Sequence, residues 1–423
     1  MSPTVGSKEV DPKGMEGHPY YREGEDLGSP QRKSGFDREQ ALKYVKEIAF
    51  PRKTGTEGEP RAAQAIVRIL KDMGYEVREE DFSIRLPPWL WIKSPSLIFL
   101  FSFFTIWLTF EKIPLVAFLF SSAFLLWIGV WDRVWICVGE WIVSGDLKGQ
   151  MRSKNILAKI PESEDGKPFY LVAHYDSKSQ SLNLYLRTGL FLLGCLTGGI
   201  FCLWVWIHSI RMWMGNGEFF MPTFVQTCFL MAAGLNLLIL FSKIGNESDG
   251  ALDNASGVAV LLEVARDLIR QSPKRVHPVF LFTGGEEMGL LGSLMVRKRY
   301  GKEMVRSKSF FINIDSVGQR GKMRVCSSGN VRRKRLRRIR RIAKKRGIPL
   351  RVLPFHKGIL MDHLPFSQLN IPYLSLTSIS KEGWHIHTVR DRCSGVQKEG
   401  LEEMGEMILG LIGSLEFEDR RRQ

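Results

Sequence analysis

The chain has 423 residues, 44% of them hydrophobic and 25% charged, with a formal charge of +16. That length holds one large domain or two ordinary ones. Six scattered cysteines argue against a disulfide framework, and the polar N-terminus lacks the basic, apolar and small-residue succession of a signal peptide.

Residues 1–35 are rich in Gly, Pro, Ser and charge and read as a disordered tail. A soluble domain is expected over 36–423, interrupted by membrane hairpins at 95–131 and 186–242. Residues 37–49 and 60–73 read as helices, the second ended by Gly74. Residues 75–86 and 155–160 read as partner strands, and the apolar run 169–173 as a buried strand. Stretches 186–208 and 219–241 are each long enough to cross a bilayer, with Trp204, Trp206 and Phe219 near their ends. In the first hairpin, 95–110 offers only about 16 apolar residues, so it either crosses with local thinning or forms a re-entrant hairpin. An amphipathic helix over 256–270 precedes buried strands at 276–282, 310–314 and 373–376, with helices at 289–300 and 401–415. Strands alternating with helices of this length predict an α/β fold with a mostly parallel mixed sheet covered by helices on both faces.

The positive charge is concentrated. Residues 332–346 hold 11 Lys or Arg in 15, with Leu336, Ile339 and Ile342 at helical spacing. Nucleic-acid binding, a solvated helix face and attraction to an anionic lipid leaflet are the competing readings, and the nearby spans favour the last. No nucleic-acid recognition module accompanies the run, so no nucleic acid is expected as a partner. Lys93, Arg133, Lys148, Arg187 and Lys243 flank the spans on the side of the soluble domain, while the opposite turns offer little beyond Lys112 and Arg211. The positive-inside rule then puts the soluble domain of a multi-pass protein in the cytoplasm.

Five segments carry metal-binding side chains: Ala173-His174-Tyr175-Asp176-Ser177, Ala251-Leu252-Asp253-Asn254, Gly284-Gly285-Glu286-Glu287, Asn313-Ile314-Asp315, and His387-Thr388 ahead of Asp391. Taken singly, each has an ordinary reading: a structural His–Asp pair, a helix N-cap, a solvated acidic face. Their positions change that. His174, Glu286-Glu287 and Asp315 follow the carboxyl ends of three buried strands, which line one crevice in an open α/β sheet. Carboxylates and imidazoles gathered there require cations to offset repulsion and desolvation.

The order and local sequence of these segments resemble the di-zinc aminopeptidases, a zinc-exopeptidase family related to glutamate carboxypeptidase and glutaminyl cyclase. Pro51-Arg52, Gly55-Thr56, Asn155-Ile156, Asp362-His363-Leu364-Pro365-Phe366 and Ile371-Pro372-Tyr373 extend the likeness over most of the soluble chain. The resemblance implies a zinc-exopeptidase-like fold of the phosphorylase/hydrolase type and two Zn2+ per chain. His174 and Asp315 would hold one ion, Glu287 and His387 the other, and Asp253 would bridge them. Glu286 would act as general base on a metal-bridging water, with Asp176 orienting His174 and Asp391 doing the same for His387. His385 competes with His387 for the last place; His-Thr-x-x-Asp favours His387. His363 and Trp384 are candidate rim residues. A membrane-anchored exopeptidase acting on peptides, most simply an aminopeptidase, is the leading expectation. A glutaminyl-cyclase-like acyltransferase, which the resemblance implies would keep a single zinc, and a non-catalytic membrane receptor are the alternatives.

Overall fold

The computed structural model describes residues 35–149, 151–161, 167–215, 220–271, 276–321, 323–328, 333–353, 360–378 and 381–420. The expected tail, apart from residue 35, and Arg332 of the basic run lie outside them.

In chain order the elements begin with helices α1 (Arg38–Ile48) and α2 (Gly58–Asp72), strand β1 (Glu76–Ile84), and the long helices α3 (Pro88–Thr109) and α4 (Pro114–Ile142). Strands β2 (Val143–Ser144), β3 (Met151–Lys159), β4 (Lys167–His174) and β5 (Ser179–Gln180) lead to helices α5 (Leu184–Trp213) and α6 (Thr223–Phe241). Then come β6 (Ile244–Gly245), α7 (Ser256–Gln271), β7 (Val276–Thr283), α8 (Leu291–Arg306), β8 (Phe310–Ile314) and β9 (Met323–Ser327). Helix α9 (Arg333–Lys345), β10 (Leu350–Val352), α10 (Leu364–Ser367), β11 (Tyr373–Ser378) and α11 (Lys398–Arg420) complete the chain.

Nine strands form one sheet in the order β10-β9-β11-β8-β4-β7-β3-β1-β2. The central four, β11, β8, β4 and β7, are mutually parallel. β3, β1 and β2 then add antiparallel, and β9 pairs antiparallel with β11 at the other side. The parallel character expected from the sequence therefore holds at the centre and gives way at both flanks.

Period-two alternation sorts the strand residues between two layers. Ala158, Leu171, Phe280 and Ile312 face α1, α2, α7, α9 and α11, whose Val45, Ile66, Leu261, Ile339 and Met404 share that core. Leu157, Val172, Leu281 and Phe311 face the other way, against Val296 and Met304 of α8 and Phe366 of α10. The stripe on the basic helix is absorbed here. Ile339 is buried, Leu336 and Ile342 pack against the same core, and Gly410 of α11 lies under Ile342. These apolar side chains seat α9 on the protein rather than facing lipid.

Among the described residues, four helices are long and apolar enough to cross a membrane: Trp89–Thr109, Pro114–Ile142, Leu184–Trp213 and Thr223–Phe241. The first arm is longer than its sequence suggested. Pro95 lies inside α3 instead of opening it, and the 21-residue span reaches about 31 Å at helical rise. The four pack through an aromatic centre of Phe99, Phe103, Phe201 and Phe229, with Gly198 letting α5 approach the Phe99 and Phe103 rings. Their outer surface is apolar, with Phe101, Leu108, Leu126, Leu196, Phe224 and Leu230 exposed. Contiguous apolar exposure on this scale marks a surface made for a nonaqueous partner.

All four helices meet the sheet at one edge. β1 runs parallel to β7 through two antiparallel steps, with Glu79 level with Phe282 across Ile156, so its end at Ile84 extends past that level on the same side of the sheet and leads into α3. α4 returns into β2, which pairs with that same end of β1. α5 and α6 leave and rejoin the chain between His174 and Asp253, and β5 and β6 clip their soluble ends together.

Removing a central ring tests the packing. Phe280 is fully buried and meets Tyr75 edge-on at 5.5 Å. Phe280→Ala is expected to cost about 3–5 kcal/mol, read as a lowered unfolding midpoint in detergent; a shift within error would contradict this assignment of the core.

Candidate active site

The carboxyl edge of the parallel strands gathers the expected residues. His174 is the last residue of β4, Glu286 and Glu287 follow β7, Asp315 follows β8, and His387 lies in the segment after β11. Asp253 sits in a tight turn opening α7, and the Asp253–Asn254 peptide is cis. All these side chains are buried.

Two groups of atoms that could hold a metal ion result, His174–Asp253–Asp315 and Asp253–Glu287–His387, each with its atoms within 4.8 Å of one another. Asp253 belongs to both. Its Oδ1 lies 3.1 Å from His174 Nε2 and its Oδ2 3.1 Å from His387 Nε2. Asp315 Oδ1 lies 3.6 Å from His174 Nε2, and Glu287 Oε2 3.1 Å from His387 Nε2. Glu286 stands beside the first group, its Oε2 3.9 Å from His174 Nε2. His385 stays outside, partly exposed and paired with Glu382 at 2.9 Å.

The surroundings hold these groups by backbone contacts. Asp176 Oδ1 accepts from the Glu286 N–H and Oδ2 from the Glu287 N–H, both at 3.1 Å, while Thr54 donates to Oδ2 at 2.9 Å. Asp176 Oδ1 also lies 3.5 Å from His174 Nδ1. Its role thus extends beyond orienting His174: it fixes the loop that presents both glutamates. Asn155 joins in, accepting from Gly284 N–H at 3.2 Å and donating to the Gly292 carbonyl.

Arg52, fully buried, donates to the carbonyls of Tyr175, Phe50, Asp249 and Gly250. Burial pulls its pKa down to about 10, with the carboxylates of Asp391 and Asp176 working the other way. It ties the strand carrying His174 to the turn carrying Asp253. Gly250 takes φ +54 there, and a Cβ would stand 2.5 Å from the Ser177 Cβ, so only glycine fits the turn.

Asp391 does not orient His387. Its two oxygens accept from Leu252 N–H at 2.7 Å and Asp253 N–H at 3.1 Å, so it braces the bridging turn instead. His387 is placed by its backbone, with φ +62 and a carbonyl accepting from Gln180 N–H at 2.8 Å. His363 also departs from expectation: it is fully buried and stacks on Tyr373 at 4.6 Å, away from any rim. Trp384 is half-exposed and packs on Tyr185 at the foot of α5.

Crowded carboxylates dominate the electrostatics. Burial, reinforced by Glu287 and Asp315 and opposed by His174, pushes the Glu286 carboxyl well above the usual range. Burial works against a charged His174, but Glu286, Asp176, Asp253 and Asp315 outweigh it and hold the pKa well above normal. Lys178 Nζ, 2.7 Å from Glu287 Oε2, supplies one cation that sequence reading missed. In the sequence Asp362 stands out only as part of the Asp362-His363-Leu364-Pro365-Phe366 motif. It is buried, accepts from Thr283 at 2.5 Å, and burial raises its pKa to about 6.

Residues 236–412 match the sequence profile of Peptidase family M28. The likeness first read from the motifs is to this family. The matched stretch carries Asp253, Glu286, Glu287, Asp315 and His387, while His174 lies before it, across the α5–α6 insertion. Aminopeptidase YwaD of Bacillus subtilis (strain 168) is 30% identical over 175 residues, 39% of this chain and 37% of its own length. The chain thus spans little more than a third of that curated relative. BSAP, a zinc aminopeptidase from Bacillus subtilis, shares the fold at TM-score 0.52 and 16% identity over 90% of this chain and 96% of its own. Fimbriiglobus ruber glutaminyl cyclase does so equally, at TM-score 0.52 and 15% identity over 90% and 96%.

The donor set fits divalent metal. Two imidazole Nε2 atoms and Glu287 Oε1 are buried without a hydrogen-bond partner, in a pocket whose excess negative charge calls for cations. Asp176→Asn, which weakens the acceptor under Glu286 and Glu287, is expected to lower zinc affinity about 10–100-fold. Competition with a chromogenic chelator measures this; wild-type affinity would show that Asp176 does not support the site.

Proposed function

We propose that the protein is a membrane-tethered, zinc-dependent exopeptidase, most specifically an aminopeptidase. One observation carries this reading: two buried groups of ligand atoms share the Asp253 carboxylate, with a free-standing glutamate, Glu286, alongside. In it, His174 and Asp315 would hold one zinc and Glu287 and His387 the other, with Asp253, common to both groups, contributing to each. Bound zinc supplies a nucleophilic water at neutral pH and polarises the scissile carbonyl.

The chain's own residues do the rest. Glu286, whose proton affinity burial has raised, takes the proton from the attacking water and passes it to the leaving amine. Asp176 keeps Glu286 aimed through its backbone N–H, and Arg52 and Asp391 prevent the Asp253 turn from relaxing under the repulsion of its neighbours.

The glutaminyl-cyclase reading has equal support from fold, since such an enzyme superimposes as well as an aminopeptidase does. The complete second group, Glu287 with His387, favours the two-metal hydrolase. The intact ligand set and Glu286 also weigh against a receptor without catalysis.

The membrane shapes the substrate range in this proposal. The four apolar helices leave the sheet from the edge that carries the ligands, so the site mouth opens toward the bilayer surface. That favours small or membrane-proximal peptides. Basic residues beside the spans, with little charge at the far turns, support a cytoplasmic domain in this reading. The exposed basic side of α9 is free to meet anionic lipid, while its apolar stripe is used internally.

Glu286→Ala is expected to keep fold and zinc while lowering kcat by about 100- to 10,000-fold, on peptides with a free N-terminal amine. Matched free-amine and N-blocked panels complete the test. Undiminished hydrolysis by the variant would overturn the mechanism, and cleavage of N-blocked peptides from the C-terminus would reassign the enzyme as a carboxypeptidase.

A further inference from the structure

We propose that Trp91 and Trp135, at the soluble ends of α3 and α4, are positioning residues for Glu286 and Glu287. The inference rests on the peptidase reading above and adds a role for the first membrane hairpin within the site.

The two indoles stack at 3.7 Å between centroids and are nearly buried. Directly on them lies Gly289, three residues after Glu286. A Cβ at Gly289 would stand 2.5 Å from Trp91 Nε1 and 2.9 Å from Trp135 Cζ2. The backbone there is also held at φ +99, a conformation that glycine alone adopts without strain. Met288, Leu290 and Leu291 pack into the same cluster as both tryptophans.

The loop is fixed on its other side as well. Gly289 and Leu290 N–H groups donate to the Glu286 carbonyl, both at 2.8 Å, and Asp176 receives the N–H groups of Glu286 and Glu287. The glutamates thus sit on a short turn clamped between a buried aspartate and an aromatic platform. Helix α8, which continues from that turn, is joined to α4 by Lys298, donating to the carbonyls of Glu140 at 2.8 Å and Val143 at 2.7 Å. Gly139 of α4 lets Leu294 of α8 approach in the same way. Platform, turn and helix move as one body, so a displaced hairpin displaces both carboxylates. Misplacement of about 1 Å costs roughly 100-fold in rate.

The test uses the full-length protein in nanodiscs and three variants. Gly289→Ala drives a methyl group into Trp91; Trp91→Ala removes the platform; Trp91→Phe keeps an aromatic ring but deletes the indole nitrogen. Chelator competition reads zinc affinity independently of activity, and steady-state kinetics separate kcat from KM. Gly289→Ala and Trp91→Ala are expected to weaken one zinc equivalent about 10–100-fold and to lower kcat about 100-fold, with KM within about twofold. Trp91→Phe should recover most of both, and adding it to Gly289→Ala should restore part of the loss. Folded variants with both zinc affinities and kcat at wild-type values would overturn the proposal. So would a Trp91→Phe protein as impaired as Trp91→Ala, the mark of lost stability rather than lost positioning. A wild-type protein that binds two zinc ions yet cleaves no peptide would instead defeat the peptidase reading, leaving the zinc readout of the platform intact.

Discussion

Everything in the site follows from placing four carboxylates and two imidazoles in a buried crevice without letting them separate. Asp253, Glu286, Glu287 and Asp315 repel one another strongly at these distances, and burial removes the water that would screen them. The fold opposes that repulsion with backbone contacts. Asp176, Arg52 and Asp391 each fix main chain: Asp176 holds the Glu286–Glu287 turn, and Arg52 and Asp391 hold the Asp253 turn from two sides. Much of what holds such a site together therefore lies in groups outside the two clusters of candidate metal-binding atoms.

The same constraint explains how the membrane part is joined. A domain that only needed tethering could carry its spans on a terminal linker. Here the helices are inserted where the ligand loops begin, so that one hairpin packs under the Glu286 turn and the other leads through β5 to the carbonyl of His387. The seating of the apolar helices and the geometry of the site are aspects of one packing arrangement.

Much of this was legible in the chain itself. Continuous apolar runs marked β4, β7, β8 and β11, and metal-binding side chains after the carboxyl ends of β4, β7 and β8 pointed to a common crevice. What sequence did not reveal falls into two kinds. Short or partly polar elements, β9 and β10, carry too little periodicity to stand out. Side chains acting on a distant backbone, such as Asp391 on the Asp253 turn, look like any acid near a histidine until the fold shows which N–H they face. His363 illustrates the converse: its place in a motif suggested a rim, but stacking on Tyr373 buries it completely. The basic helix misled in part because an apolar stripe reads alike whether it meets lipid or α11.

The most direct test is zinc stoichiometry, measured by mass spectrometry on purified wild-type protein and on Asp253→Ala. A shared carboxylate requires two ions per chain in the wild type and the loss of both in the variant. One ion in the wild type, or the loss of only one on substitution, would contradict the bridging role of Asp253.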